Sequence, residues 1–338
     1  METTEKSAAI GVLKQHITDF IVDEELGFSL TGEGEHIWLY IEKEGRNTQD
    51  VIRDIARFSG LKRSDIGYSG LKDKHATTRQ WLSLYYPGKQ DIDWQHFDSE
   101  GVRLLIIKRH NKKLKIGTHK SNHFHIIIRD LNYRHDDIKQ RLESISQNGF
   151  INYYGQQRFG RDNLEKAQAF IDGQIKLKNH KDRGFLFSVI RSFLYNRYID
   201  KRLETFGRLE PLNGDIVGFC DGRTFFRVQE GDIPDIQARL TQKELAVAAP
   251  LIGKPGKLFY EDEALAFYQD FNQKHDAMVA FLKADFELAF RPMICHPQQL
   301  SFDFDETENL LTLNFSLPSG AFATTLIDQL IPDHDASL

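Results

Sequence analysis

Strand-type alternation at both ends of the chain, with helical periodicity between them, limits the fold more than any other feature. Ile17–Glu24 and Ile37–Glu42 alternate apolar and polar residues at period two, and Gln299–Phe304 and Leu310–Phe315 do so again near the other end. Asn47-Thr48 reads as the cap of a helix with Val51, Ile52, Ile55 and Ala56 on one face and Gly60 as its stop. Ile66-Gly67-Tyr68 reads as a short strand, and Trp81–Tyr86 as a longer one ended by Pro87-Gly88. Val102–Lys108 and His123–Arg129 are expected to pair across the basic connection Asn111–Lys120, and Asp136-Asp137 opens a helix (Ile138, Leu142, Ile145) that stops at Gly149. The middle is helical in pattern. Asp162-x-x-Glu165 starts a helix with Gly173 as its stop, Gly184–Phe206 reads as one long helix, and further stretches cover about 233–247 and 261–290. A last helix, Phe322–Leu330, follows Pro318-Ser319-Gly320. The simplest architecture is an α+β sheet domain built from residues 1–147 plus 297–338, with a largely helical insertion over 148–296.

Composition excludes several classes. Apolar residues are 40% of the 338 and charged residues 28%, a globular balance long enough to bury a sizeable core. No apolar run approaches the ~18 residues of a membrane helix. The acidic start Met1-Glu2-Thr3-Thr4-Glu5 lacks a secretory h-region, so a cytoplasmic protein without membrane attachment is expected. Cys220 and Cys295 lie far apart with no CxxC, and two buried thiols are expected. Net charge is −5, yet the charges are segregated. Residues 101–125 carry seven Lys/Arg and no acid, residues 176–208 carry nine Lys/Arg against three acids, and residues 298–338 carry seven acids and no Lys or Arg. Such segregation fits a polyanion footprint, and equally a solvated face that only looks clustered.

The most unusual stretch is Gly70-Leu71-Lys72-Asp73-Lys74-His75-Ala76-Thr77-Thr78-Arg79-Gln80. One carboxylate sits between two lysines after a short strand. Nearby cations favour its ionised form, which suits a nucleophile or an electrostatic stabiliser and is a poor setting for a general acid. A wet surface turn would look the same. Gly32-Glu33-Gly34-Glu35-His36 lacks the third glycine of a dinucleotide loop, and Gly253-Lys254-Pro255-Gly256-Lys257 lacks phosphate-loop spacing. His123 and His125 share one side of a strand but have no third ligand of fitting spacing, so exposed or RNA-facing histidines are expected there. Phe20, Phe124 and Phe322 stand beside polar or glycine positions, where a flipped-out base would find faces to stack on; core positions are the ordinary alternative.

The 70–80 stretch resembles the signature of the TruD family of pseudouridine synthases, G-x-K-D-[KR]-x-A-x-T-x-Q, with every fixed position filled. Asp19-Phe20-Ile21-Val22-Asp23-Glu24 is similar to the family's D-F-x-V-x-E strand, residues 152–160 to N-Y-F-G-x-Q-R-F-G, and residues 317–324 to L-P-x-G-S-F-A-T. Tyr154 stands for the usual Phe and Ala321 for the usual Ser. The resemblance runs from about residue 17 to 330. It implies a pseudouridine-synthase-like, mainly antiparallel catalytic sheet with the family's own TRUD domain inserted at 148–296 and an RNA cleft between them. It also implies a tRNA pseudouridine(13) synthase, an isomerase that needs no cofactor or metal, with tRNA as its partner. No obligate protein partner is expected, and the chain should act as a monomer. By resemblance Asp73 is the catalytic aspartate, with Lys72 and Lys74 assisting its ionisation. Phe20, Phe124 and Phe322 are pocket aromatics holding the extruded uracil, and Asn122 is the pocket asparagine. The competing expectation is a non-catalytic tRNA-binding or folding protein using the same cleft. A metal-dependent nuclease built on His123 and His125 is a more remote one.

Overall fold

The computed structural model describes residues 11–88, 91–132, 134–160, 162–176, 180–220, 224–331 and 335–336. In chain order it begins with β1 (Val12–Leu13), β2 (Phe20–Glu25), β3 (His36–Glu44), α1 (Thr48–Ser59), β4 (Ile66–Tyr68), β5 (Thr77–Tyr85), β6 (Val102–His110), β7 (Ser121–Arg129) and α2 (His135–Asn148). There follow β8 (Phe150–Ile151), α3 (Gln156–Phe159), α4 (Asn163–Ile171), α5 (His180–Phe206), β9 (Ile216–Phe219), β10 (Phe225–Arg227), α6 (Ile233–Thr241) and β11 (Leu245–Leu251). The chain ends with α7 (Asp262–Lys274), α8 (Asp276–Asp285), β12 (Ala289–Pro292), β13 (Ile294–Cys295), β14 (Gln298–Asp305), β15 (Leu310–Pro318), α9 (Ala323–Leu330) and β16 (Asp335–Ala336). It divides into two compact units. One holds the chain through Gln147, Pro297–Ala323 and Ile327 onward; the other holds Asn148–His296 and Thr324–Leu326. Among the described residues, no helix is long and apolar enough to cross a membrane.

The first unit is built on one sheet of order β14-β15-β7-β2-β5-β3-β6, with β1 beside β7, β16 beside β1 and β4 beside β5. Pairing is antiparallel apart from β2 with β5 and β1 with β16. The helix read from Asn47 to Gly60 forms as α1. Gly60 closes it at φ +72°, a conformation that glycine adopts without strain. Its apolar stripe (Val51, Ile52, Ile55, Ala56) packs on Ile37, Leu39 and Ile41 of β3 and on Leu82 and Leu84 of β5.

The expected pairing of β6 with β7 does not form. β6 pairs with β3 at the sheet's end, and β7 lies between β15 and β2. The connection between them is no hairpin loop but crosses the sheet. Leu114 is buried, its N–H donating to Ser83 Oγ at 2.8 Å, and a Cβ at Gly67 would lie 2.2 Å from the Leu114 carbonyl oxygen. Further along, Gly117 N–H donates to the Ser69 carbonyl at 2.7 Å. The basic segment is thereby laid along the strand that leads to Asp73. A wet surface turn over residues 70–80 would be exposed throughout, yet Ala76, Thr77 and Thr78 are buried where β5 begins.

In the second unit the helices α4, α5 and α6 form where the periodicity places them, but the pattern over 233–247 ends early. Leu245–Leu251 is a strand, buried at all but its last residue, in a sheet of order β10-β9-β11-β12. A short continuous apolar run suits a buried strand as well as a helix, and here the strand wins. The stretch read as helical over 261–290 is two helices, α7 and α8, with β12 beginning at Ala289. At the heart of this unit, Arg202 and Asp215 form an ion pair with both side chains fully buried. Cys295 is buried and its thiol is pushed up to about 12 by that burial, whereas Cys220 is only half-buried, against expectation.

Candidate active site

Asp73 lies in the loop between β4 and β5, above a sheet face that turns from apolar to polar strand by strand. On β2 the face runs Phe20, Val22, Glu24; on β3 it runs Leu39, Ile41, Lys43; on β7 it runs Ile126, Phe124, Asn122. Register sets Glu24 opposite Asn122, and Thr78 opposite both Val22 and Lys43. α1 covers the apolar half of β3 and β5, and the Asp73 loop takes up the polar groups beyond it.

The loop is pinned by hydrogen bonds from that face. Thr48, the first residue of α1, accepts the Lys72 N–H on its hydroxyl at 3.0 Å and donates to Gln80 Oε1 at 2.8 Å. Gln80 Nε2 donates to the Gly70 carbonyl at 3.3 Å, and the Lys43 ammonium donates to the Asp73 carbonyl at 2.6 Å. Gln80, a fixed position of the motif, therefore holds the loop's backbone in place together with Thr48 and Lys43.

The partner of the Asp73 carboxylate is distant in sequence. Lys14 Nζ lies 2.9 Å from Asp73 Oδ2, with the lysine side chain 3% exposed and the aspartate side chain 44%. Lys14 follows β1 at φ +61°, a left-handed conformation that costs a non-glycine residue roughly 1–2 kcal/mol. The same ammonium sits 4.4 Å from the centre of the Phe20 ring. Phe20, Lys14 and Asp73 thus form one line of contact. Asp19 of the same motif is structural. It accepts both hydrogen bonds of Arg129, at 2.9 and 2.8 Å, and the His16 N–H at 2.8 Å. Burial pushes the Asp19 carboxyl up, but those bonds outweigh it and hold it below the usual range.

The lysines flanking Asp73 do different work from that expected of them. Lys72 turns its ammonium to Glu24 Oε2 at 3.1 Å and to Asn122 Oδ1, while Lys74 is exposed. The Lys72 ammonium is thus committed to Glu24 and Asn122, and the ion pair at the Asp73 carboxylate is made by Lys14. Burial raises the Glu24 carboxyl, and Lys72 opposes that rise.

Phe20 and Phe124 are both buried and meet edge to face at 6.2 Å, and Phe124 also stacks on Phe315 at 5.3 Å. Phe322 differs, being 40% exposed at the start of α9. It follows the end of β15, where Leu317 is opposite Asn122 and Ser319 N–H donates to the Lys120 carbonyl at 3.1 Å. His123 and His125 project from the opposite face of β7, within hydrogen-bonding distance of Ser316 and Asn314. Among the described residues, no three His, Cys, Asp or Glu side chains gather as metal ligands.

Burial lowers Lys43 from 10.5 to about 8, against the pull of Asp73. The ammonium at the Asp73 carbonyl therefore loses its charge as pH rises through about 8. In the window from there to 10.5 the unfolded chain still holds that proton, so this group's contribution to stability rises with pH. Activity should move the other way. A falling limb in kcat/KM is expected near pH 8, and Lys43→Arg, whose guanidinium stays charged, should shift that limb upward. A pH–rate profile of Lys43→Arg that keeps the wild-type limb would assign the limb to another group.

Lys14, Lys43 and Glu24 were not found in the sequence. Glu24 and Lys43 left a signal, since each continues an apolar strand face at period two with a charge. Lys14 left none, because neither its backbone conformation nor its partner is local.

The mixed, mainly antiparallel fold that carries this aspartate has a match among solved structures. The fold aligns with the crystal structure of a protein from Methanosarcina mazei titled a putative tRNA pseudouridine synthase D (TruD), at a TM-score of 0.73 and 18% identity over 98% of this chain and 96% of that one. The family model for tRNA pseudouridine synthase D (TruD) matches residues 1–176 and 179–330. The chain is 38% identical to the tRNA pseudouridine synthase D of Aeromonas hydrophila, over 97% of this chain and 92% of that protein. It is 36% identical to the protein of that name from Pseudoalteromonas atlantica, over 96% and 94%. The chain belongs to the TruD family.

Proposed function

We propose that this protein isomerises uridine in tRNA to pseudouridine, with Asp73 as the group that acts on the reacting nucleotide. The observation that carries the reading is the placement of one half-exposed carboxylate on a pinned loop, its charge met by the buried Lys14. The reaction is balanced within the substrate. The N1–C1′ bond breaks and C5–C1′ forms, the hydrogen of C5 leaves as a proton and N1 gains one, so no oxidant or reductant enters. A charged carboxylate suits covalent addition to ribose or base, and equally suits stabilisation of charge developing at C1′.

Within this reading, the exposed Phe322 is the ring on which the extruded base stacks, and Asn122 supplies hydrogen bonds to its edge. Phe20 acts through Lys14, and Phe124 supports Phe20. Residues 148–296 correspond to the family's inserted domain. Position 13 of the tRNA, a monomeric state without an obligate protein partner, and action in the cytoplasm follow from the family resemblance. Site-resolved pseudouridine mapping of total tRNA from cells lacking this protein tests the reading. Loss of the modification at position 13 alone is expected, and an unchanged map contradicts it.

Among the described residues, some charges of the basic segment pair with a carboxylate and others do not, Lys113 donating to the Ser64 carbonyl at 2.6 Å. Arg103 pairs with Glu42, and Arg109 with Asp91, whereas Lys112, Lys113 and Lys115 are exposed. Exposed ammonium groups that contact phosphates release counterions, and each contributes about 0.7–0.9 to the salt slope of binding. Neutralising all three should weaken tRNA binding and flatten log Kd against log salt by about 2. An unchanged slope returns these lysines to the role of a solvated face.

A further inference from the structure

One buried group beside the site is not used by the chemistry above. His119 ends the segment that crosses the sheet and is 6% exposed. Its Nδ1 lies 2.5 Å from Ser69 Oγ and its Nε2 lies 3.1 Å from Asn122 Nδ2, while its backbone N–H donates to the same Ser69 Oγ at 2.8 Å. On its other side, Asn122 Oδ1 accepts from the Lys72 ammonium.

The hydrogens can be assigned in only one way. An ammonium has only N–H to give, so the Asn122 atom facing Lys72 is the oxygen and the atom facing His119 is the NH₂ group. His119 Nε2 must then accept, which puts the ring proton on Nδ1, donating to Ser69 Oγ. That oxygen takes both N–H groups of His119 on its lone pairs. Among the described residues, one N–H and one lone pair of the Asn122 carboxamide remain uncommitted. Together they match the imide edge of uracil, which offers one N–H beside a carbonyl oxygen. Ser69 directly precedes Gly70, so the chain of bonds also ties Asn122 to the loop that carries Asp73.

We propose that His119 is a positioning residue, locking the Asn122 carboxamide in the one orientation that presents this donor–acceptor pair to the base. The proposal rests on the pseudouridine-synthase reading. His119→Leu removes the acceptor for Asn122 and the donor for Ser69 at similar volume. The single-turnover rate on tRNA should fall about 10- to 100-fold, the scale of a misoriented catalytic contact, with tRNA affinity changed by less than about twofold. His119→Gln, which restores an acceptor near the Nε2 position, should recover the rate to within about threefold of wild type. In an Asn122→Ala background, His119→Leu should have no further effect on the rate, because it acts through the amide already removed.

A merely structural histidine would lower the melting temperature of His119→Leu and leave the turnover of its folded fraction unchanged, and that result overturns the proposal. So does additivity of the two substitutions. If His119→Leu does not fold, His119→Asn, which keeps the Ser69 side of the chain and loses the acceptor for Asn122, carries the test with the same expectations. A wild-type preparation that makes no pseudouridine overturns the underlying reading instead, so the two failures are distinct.

Discussion

Asp73→Asn should abolish pseudouridine formation, lowering the rate by at least about a thousandfold, or roughly 4 kcal/mol in the barrier. The substitution keeps the side chain's shape and an oxygen that can accept from Lys14, and it removes only the negative charge. The asymmetry of the pair makes it the informative variant. Lys14 is buried and Asp73 half-exposed, so Asp73→Ala would leave an ammonium in the interior without its partner and confound chemistry with stability. Asp73→Asn should therefore cost less stability than Asp73→Ala and keep wild-type tRNA affinity while losing turnover. Turnover within tenfold of wild type would remove the carboxylate from the mechanism.

The second large effect concerns stability and lies far from Asp73 in the sequence. Arg202 and Asp215 are fully buried, and apart from Arg202 Nε, which has no partner among the described residues, the pair's polar atoms find further backbone partners. Arg202 also donates to the Glu210 carbonyl at 2.6 Å, and Asp215 accepts the Leu212 N–H at 3.0 Å. Asp215→Ala leaves a guanidinium, a group that does not deprotonate, without its counter-ion in the core. A loss of about 3–5 kcal/mol is expected, with a drop in melting temperature of roughly 6–20 °C. Replacing both partners with apolar residues (Arg202→Met with Asp215→Leu) should recover most of it. Far-UV circular dichroism or calorimetry is the proper probe, because the three tryptophans, Trp38, Trp81 and Trp94, all lie in the other unit. A loss below about 1 kcal/mol would mean that water reaches the pair in solution.

How much of this was legible in the sequence depends on whether the signal was local. α1 and α2 were legible because an apolar stripe and a terminal glycine lie within one segment: Gly60 and Gly149 adopt φ of +72° and +74° where the helices end. The partners of β6 and β7 were not legible. Strand pairing is decided by which apolar faces meet across the whole sheet, and a basic loop between two strands carries no record of it. β11 was missed because seven consecutive apolar or small residues have no period to read. At the site, the motif pointed to Asp73 but suggested the wrong counter-ions. Lys72 and Lys74 are adjacent in sequence, whereas the ammonium that reaches the carboxylate comes from Lys14, 59 positions away. Phe20 was marked as a wall of the base slot, and in the folded chain its ring carries the Lys14 ammonium instead.

The central claim is tested most directly with the purified full-length protein and a tRNA transcript carrying tritium at C5 of uridine. Forming the C5–C1′ bond must expel that hydrogen. One equivalent of tritium released per tRNA is therefore predicted, together with a new carbodiimide-reactive nucleotide at position 13 and, for an unlabelled transcript, no change in mass. Tight, salt-sensitive tRNA binding with no tritium release would contradict it and identify a binding protein in place of an isomerase.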